Sequence, residues 1–295
     1  HSVLSKARRR WGVGVFKALF ERIVWQCAEA GLVDGSKIFL DSSLIEADAS
    51  NNSVVDRQSL RVQLSARYRE LEQRLSDASD ASETTDPDKP GDDGGESSSE
   101  TRPRRDVNAR YVSTTDPDAA IVRRGDPKLY HQTHRAVDPR AEIITAVEVT
   151  RGDVNEAHRL IPLWEQHRQN TDRSADTVAA DGKYGTVENF LACADRGLAA
   201  HLPDLKEAAT ERSRHRGIFP DSRFVYDPAT DTYRCPAGTT MKRRSYHPER
   251  GSLDYAAPKS ACSACALRPQ CTHNKSGRTV KRHLRQDELN RMRLA

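Results

Sequence analysis

Phe39-Leu40-Asp41-Ser42-Ser43 and Val178-Ala179-Ala180-Asp181-Gly182-Lys183-Tyr184-Gly185 follow the same sequence pattern. In each stretch an apolar run stops at an aspartate, and small or turn-forming residues follow. A buried strand that ends in this way places a carboxylate at the rim of a sheet. Two such rims side by side can hold a divalent metal, because Mg²⁺ prefers carboxylate oxygens and keeps several of its waters. The alternative is that Asp41 and Asp181 only cap the turns or helices that follow them.

The sequence around these two stretches predicts an α/β fold. Short strands at 37–40 and 177–180 each lead into one of the two aspartates. The other predicted elements are a helix at 11–30, strands at 129–137 and 142–150, a helix at 156–169, a helix at 187–196 and a strand at 198–202. Adjacent antiparallel strands followed by strand–helix–strand units imply a mixed sheet flanked by helices. Periodicity does not show which strands are neighbours, so the adjacency of the two aspartates is an assumption.

The composition indicates a soluble and rather polar protein of one large or two modest domains. The chain has 295 residues, of which 31% are charged and 36% hydrophobic, and its mean hydropathy is −0.78. No apolar run approaches the length of a membrane span, and no secretory leader is visible. Because the chain starts at His1 and residues 290–295 carry no helix stop signal, we expect a fragment that is truncated at both ends. Six cysteines are few for this length, which favours a reducing cytoplasm.

Charge divides the chain into regions. Residues 77–103 hold nine acidic side chains and almost nothing to bury, which predicts a disordered linker or surface insert. Residues 211–295 hold 18 Lys and Arg against eight Asp and Glu, which favours a polyanionic partner. A solvated basic surface is the alternative. The expected organisation is a helical segment at 1–35, an α/β core at 36–203 and a small basic, cysteine-rich insert at 204–295 that leads into the start of a truncated helix.

Four of the six cysteines have the spacing of a zinc site. Cys262 and Cys265 form a C-x-x-C pair, Cys235 precedes it, and Cys271 follows six residues later. Four thiolates would close a tetrahedral structural Zn²⁺ site, with His273 as a substitute ligand. Two alternatives stay open: the cysteines bind no metal, or they hold an iron–sulfur cluster.

Several segments resemble bacterial insertion-sequence DDE transposases. Leu40–Ala47 is similar to the first-aspartate motif of that family, and Val178–Gly185 is similar to its second-aspartate motif. Three segments between them resemble the family's central strands and turn: Ser113–Ala119, His131–Asp138 and Val149–Glu156. The cysteine-rich region resembles an insert found in one branch. These segments occur in the family's order and cover nearly the whole chain.

The resemblance implies an RNase H-like core with a catalytic Asp, Asp, Glu triad. Asp41 and Asp181 would be the first two acids and would bind Mg²⁺ or Mn²⁺ in a two-metal mechanism. The implied reaction is DNA cleavage at the ends of an insertion sequence, followed by strand transfer to target DNA. The family's third acid has no match in this sequence, since neither Glu249 nor Glu288 fits its motif. The chain as it stands is therefore expected to lose most activity.

DNA is the expected partner, both as transposon ends and as target, with a homodimer as a further expectation and no membrane. Lys183 and Tyr184 directly follow the second aspartate and are candidates for contacts with DNA phosphates or the 3′ end. Basic residues near the cysteines suit phosphate contacts: Arg243, Arg244, Arg268, Lys281 and Arg282. Two alternative functions stay open, a catalytically inactive, zinc-stabilised DNA-binding remnant and a plain metal-dependent nuclease.

Overall fold

The structure is a computed structural model, and it describes most of the chain. The described residues are 3–59, 61–62, 66–67, 69–70, 107–203 and 217–294. The acidic segment 77–103, expected to be a disordered linker, lies outside them. Within these ranges, no helix combines the length and the apolar character that crossing a membrane requires.

The chain divides into two compact units. The larger contains His1–Asp41, His134–Val147 and Asn155–Ala295, and the smaller contains Ser42–Thr133 and Glu148–Val154. The strands are β1 (Lys37–Glu46), β2 (Val54–Asp56), β3 (Tyr111–Ser113), β4 (Ala120–Arg124), β5 (Asp126–Asp138), β6 (Ile143–Arg151), β7 (Thr177–Ala180), β8 (Ala199–His201), β9 (Val225–Asp227), β10 (Thr232–Arg234), β11 (Thr240–His247), β12 (Ser252–Ala256) and β13 (Thr279–His283). The α-helices named below are α1 (Val3–Glu29), α2 (Val107–Arg110), α3 (Leu160–Thr171), α4 (Val187–Ala194), α5 (Lys259–Ser263), α6 (Arg268–Cys271) and α7 (Gln286–Leu294). The domain boundaries expected at 35/36 and 203/204 stay predictions.

The main sheet of the larger unit has the strand order β5–β1–β7–β8, with β6 paired to β5. The pairs β1–β7 and β7–β8 are parallel. The same sheet continues with β4, of the smaller unit, which pairs antiparallel with the first part of β5, so the sheet is mixed. The expected α/β class with a mixed sheet and helices is therefore confirmed, whereas the RNase H-like identity stays a prediction.

The core of the larger unit forms where the apolar faces of β1 and β7 meet the buried stripe of α3. Leu160, Leu163 and Trp164 are buried there, as the helical spacing predicts. A 3₁₀ turn precedes α3, and the Asn155 side chain caps that turn by accepting the N–H of Ala157. The sequence thus predicts the helix and its cap, but not the tighter first turn.

The C-terminal helix α7 belongs to the same core. Leu289 is buried in the hydrophobic cluster that also contains Phe190 and Cys193 of α4. Residues after the cysteine-rich region therefore return to the main sheet, and they stabilise the layer that carries β7 and β8.

A second, antiparallel sheet follows in the strand order β13–β12–β11–β10–β9. The sequence predicts no strands here, because these are short and mostly polar. The buried residues of this sheet form a small core of their own: Phe224, Tyr233, Met241, Leu253, Tyr255 and Val280. The basic, cysteine-rich region therefore has a hydrophobic core of its own.

The N-terminal helix differs from its prediction. It begins at Val3, and Gly12 interrupts it with a positive φ of 80°. The periodicity predicts a buried stripe, yet Leu19 and Ile23 are 54% and 49% exposed, whereas Val24 is buried. Spacing therefore identifies an apolar face of α1 but does not show that the face is covered.

The smaller unit contains three strands that the sequence analysis does not predict. β2 pairs antiparallel with β3, and β4 pairs antiparallel with the first part of β5. Its core is small and consists of Ala47, Ala119 and Leu129. The stretch between the first two predicted strands, at 37–40 and 129–137, therefore contains β strands that the sequence does not predict.

Candidate metal and nucleic-acid site

Asp41 and Asp181 lie at equivalent positions on neighbouring strands. β1 and β7 pair in parallel, and the last registered pair is Leu40 with Ala180, so each aspartate is the next residue of its chain. Adjacent strands of a sheet are about 4.8 Å apart. The assumption that the two strands are neighbours is therefore confirmed, while a catalytic role for the two residues stays a prediction.

The two aspartates leave their strands differently. β7 ends at Ala180, and Asp181 then caps a 3₁₀ turn by accepting the backbone N–H of Lys183 at 3.0 Å. β1 does not end at Asp41 but continues to Glu46. The strand-end prediction is therefore wrong for Asp41. Asp181 does cap the turn that follows it, while its role in metal binding stays a prediction.

Both carboxylates are accessible. Leu40 is buried in the core and successive strand residues face opposite sides, so Asp41 faces away from that core, with 62% of its side chain exposed. Asp181 is exposed as well. Two accessible carboxylates at one edge of the β1–β7 pair are chemically suited to a hard divalent cation.

A guanidinium group already lies on one of these carboxylates. Nη2 of Arg135, on β5, is 3.2 Å from Oδ2 of Asp41. Such a pair balances charge next to the candidate metal position. Arg135 is also the kind of side chain that binds phosphate oxygens through a planar fork.

Sequence reasoning missed Glu156, a buried acid beside the second aspartate. Its side chain is only 5% exposed, and it forms an ion pair with Nζ of Lys183. Lys183 thus connects the two acids, with its backbone N–H on Asp181 and its ammonium group on Glu156. The signal that could have identified Glu156 is its position directly after the cap residue Asn155. Acidic side chains are stabilised in the first turn of a helix by the partial positive charge there.

The loop after Asp181 is tightly held. The side-chain amide of Asn189 donates to the backbone oxygens of Ala157 and Tyr184, both at 2.9 Å. A Cβ atom at Gly185 would overlap the backbone oxygen of Pro203. These contacts fix the backbone that carries Asp181.

Two of the expected DNA-contacting residues are buried. Tyr184 lies fully buried in the core, so a contact with DNA would require its ring to leave that core. Arg282 is 8% exposed, donates to Asp287 at 2.7 Å and lies 3.8 Å from the ring centre of Tyr226. Its guanidinium group has partners within the protein, and the DNA contacts expected of both residues stay predictions.

The remaining basic candidates differ in exposure. Arg243, Arg244 and Lys281 are exposed on the second sheet, as a phosphate contact requires. Arg268 is half-buried and donates to the carbonyl oxygens of Asn274 and Lys275. The accessible part of the expected basic surface is therefore the group on β11 and β13.

The four clustered cysteines line one cavity. All six cysteines of the chain are free thiols. Burial raises the pKa of Cys271, Arg278 lowers it, and the charges of Cys235, Cys262 and Cys265 raise it further. Four thiols within electrostatic reach of one another thus come from three separate segments of the chain.

Neither candidate metal position is a finished site. Across the residues that the structure describes, no group of three or more His, Cys, Asp or Glu side chains is arranged so that it could hold a metal ion. Glu288 does not match the third acid of the transposase family that the sequence resembles. Its carboxylate is paired with Arg285, whose Nε lies 2.6 Å from Oε2 of Glu288.

No family model, no curated protein and no solved structure matches the chain. The functional argument therefore depends on the residues and their geometry.

Proposed function

We propose that this chain is part of a DNA transposase, in which Asp41 and Asp181 bind Mg²⁺ or Mn²⁺ for strand cleavage and strand transfer. The observation that supports the proposal is the parallel register of β1 and β7, which makes the two aspartates neighbours. An RNase H-like core and a cytoplasmic DNA substrate are parts of the same proposal.

The donor set is compatible with such a metal. Two exposed carboxylates offer oxygen ligands, and both Mg²⁺ and Mn²⁺ accept them together with water. When bound, the metal supplies charge stabilisation to the phosphoryl group that is transferred.

The chain's own residues would hold and orient the substrate around that position. Arg135 lies against Asp41 and can offer its guanidinium group to a phosphate oxygen. Lys183 and Glu156 fix the turn behind Asp181 and so keep its carboxylate in place. Arg243, Arg244 and Lys281 are exposed and can contribute affinity for the DNA backbone without sequence preference.

Metal binding is the direct test, because it does not depend on the missing third acid. The chain is titrated with Mn²⁺, and free Mn²⁺ is followed by electron paramagnetic resonance. Asp41→Asn and Asp181→Asn are each expected to weaken binding by at least about tenfold, since even groups behind the ligands contribute that much. Asp126→Asn, an exposed acid at the start of β5, is the matched control and should bind like the parent. Equal Mn²⁺ affinity in all four proteins would contradict the site.

DNA cleavage is the second test and separates the alternatives. Incubation of labelled duplex DNA with the chain and Mn²⁺ should give nicks that both aspartate variants lose. Salt-sensitive DNA binding without cleavage would favour the inactive DNA-binding remnant. The absence of a matching third acid is the observation that favours this second candidate.

A further inference from the structure

The cavity lined by cysteines lies beside the second sheet, far along the chain from Asp41 and Asp181. Cys235 directly follows β10, Cys262 lies in α5, Cys265 follows that helix, and Cys271 ends α6. All four line the same cavity of about 30 Å³. Cys235 and Cys271 also pack against the core of the second sheet. Core packing does not account for Cys262 and Cys265, which line the same cavity from a third segment.

Two of these segments are tight turns that expose a thiol. The N–H of Gly238 donates to the oxygen of Cys235 at 2.8 Å, and the N–H of Cys235 donates to Thr239 at 3.0 Å. The N–H of Cys265 lies 3.4 Å from the oxygen of Cys262. These backbone hydrogen bonds hold Cys235, Cys262 and Cys265 in turns at the edge of the cavity that they line.

A glycine is fitted closely around one of the sulfurs. Gly277 has a φ of +97°, and a Cβ atom added to it would lie 2.9 Å from Sγ of Cys262. Both the conformation and the close approach demand glycine at this position. The backbone is therefore shaped to pass over the Cys262 sulfur rather than to cover it with a side chain.

The sulfur atoms at this cavity determine which kind of metal would suit it, since four cysteines line it. Thiolates are soft ligands, and coordination to a divalent metal deprotonates a thiol. Oxygen-preferring Mg²⁺ is a poor match for four sulfur ligands, whereas Zn²⁺ takes four thiolates in a tetrahedral structural site.

We propose that Cys235, Cys262, Cys265 and Cys271 form a closed Zn²⁺ site that fastens α5 and α6 to the second sheet. Cys271 rather than His273 is the fourth ligand, because Cys271 lines the cavity. The side chains as placed do not yet form a metal-binding group. Zinc binding would therefore require the cysteine side chains to turn about their staggered rotamers towards a common point in the cavity. The site does not depend on the proposed DNA chemistry.

The metal content of the full chain tests this proposal. The protein is purified without chelators, and zinc and iron are measured by mass spectrometry. We expect one zinc per chain, and after exchange with Co²⁺ we expect the sulfur-to-cobalt charge-transfer and visible absorption bands of tetrahedral thiolate coordination. A folded parent protein with four reactive thiols and no zinc would overturn the proposal, and so would stoichiometric iron.

Variants identify the ligands. Cys262→Ser and Cys271→Ser should each lose the zinc or change the cobalt spectrum, and His273→Ala should keep both. Cys27→Ser is the matched control, because Cys27 is a half-buried cysteine of α1 outside the cluster. If Cys262→Ser fails to fold, the cobalt spectrum of the parent still decides between sulfur coordination and none. Full zinc retention in both cysteine variants would overturn the ligand assignment.

Discussion

Replacement of Gly185 by alanine tests whether the loop that carries Asp181 is as tightly packed as the structure indicates. The added Cβ atom would overlap the backbone oxygen of Pro203 and lie 3.0 Å from its carbonyl carbon. Both atoms belong to the backbone and cannot rotate away, so the loop or the chain at Pro203 must move. Overpacking in a tight site costs about 1–3 kcal/mol, and we expect the upper end here.

Gly182→Ala is the matched control within the same loop. A Cβ atom at Gly182 would meet only the Pro203 side chain, at an ordinary distance of 3.9 Å. Gly to Ala in a compatible conformation stabilises a protein by about 0.4–1 kcal/mol, because the unfolded chain loses freedom. The two alanine variants should therefore differ by about 3 kcal/mol in the free energy of unfolding.

Urea denaturation followed by circular dichroism measures the difference, and Mn²⁺ titration measures its effect on the site. Gly185→Ala should unfold about 6–12 °C below the parent on heating and should bind Mn²⁺ more weakly, because the backbone of Asp181 moves with the loop. If Gly185→Ala and Gly182→Ala unfold within about 0.5 kcal/mol of each other, the close packing against Pro203 is refuted.

Three further predictions concern the charged groups. A double-mutant cycle of Lys183→Met and Glu156→Gln, measured by urea denaturation, should give a coupling energy of about 1–2 kcal/mol, because Glu156 is buried and Lys183 is 57% exposed. A coupling energy near zero would show that the ion pair does not stabilise the turn after Asp181. Hydrogen bonds from the hydroxyl groups of Tyr255 and, to a smaller extent, Tyr226 hold the pKa of Asp231 below its ordinary value of 3.8. The stability that ionised Asp231 contributes is therefore fully present above pH 3.8 and is lost as the pH falls through the lowered pKa of the folded protein. Tyr255→Phe should therefore show a shallower loss of stability in acid than the parent, in unfolding curves measured from pH 5 to pH 2, and equal slopes would contradict the assignment. Arg243→Ala should weaken DNA binding and reduce the slope of log K against log salt by about 1 if this exposed side chain contacts a phosphate, and an unchanged slope would exclude the contact.

The sequence predicts the β7 strand to the residue, because an apolar run stops at a capping aspartate and a glycine. The same pattern fails for β1, which continues through Ser42 and Ser43. The reason is pairing within the smaller unit: the Gln132 side chain donates to Ser42, and Thr133 donates to the oxygen of Ser43. Strand preference depends on such neighbours, so small polar residues extend a strand that periodicity ends at Asp41.

The burial of side chains at the candidate site does not follow from composition. Tyr184 follows an aspartate and a turn and carries a hydroxyl group, but its ring lies in the core. Arg282 belongs to a basic run, but strand alternation puts it on the inner face opposite Leu253. Composition indicates how many basic residues a segment has, and only the register of the sheet shows which of them reach solvent.

The ion pair between Arg135 and Asp41 bears directly on the proposed metal site, because a guanidinium group and a metal ion would compete for the same carboxylate. The Asp41 side chain is 62% exposed and that of Arg135 is 36% exposed. Pairs of this kind contribute only about 0–1 kcal/mol. A divalent cation held by Asp41 and Asp181 would need to displace only this weak contact. The ion pair is therefore compatible with the proposed metal binding, and a displaced Arg135 would be available to a phosphate oxygen.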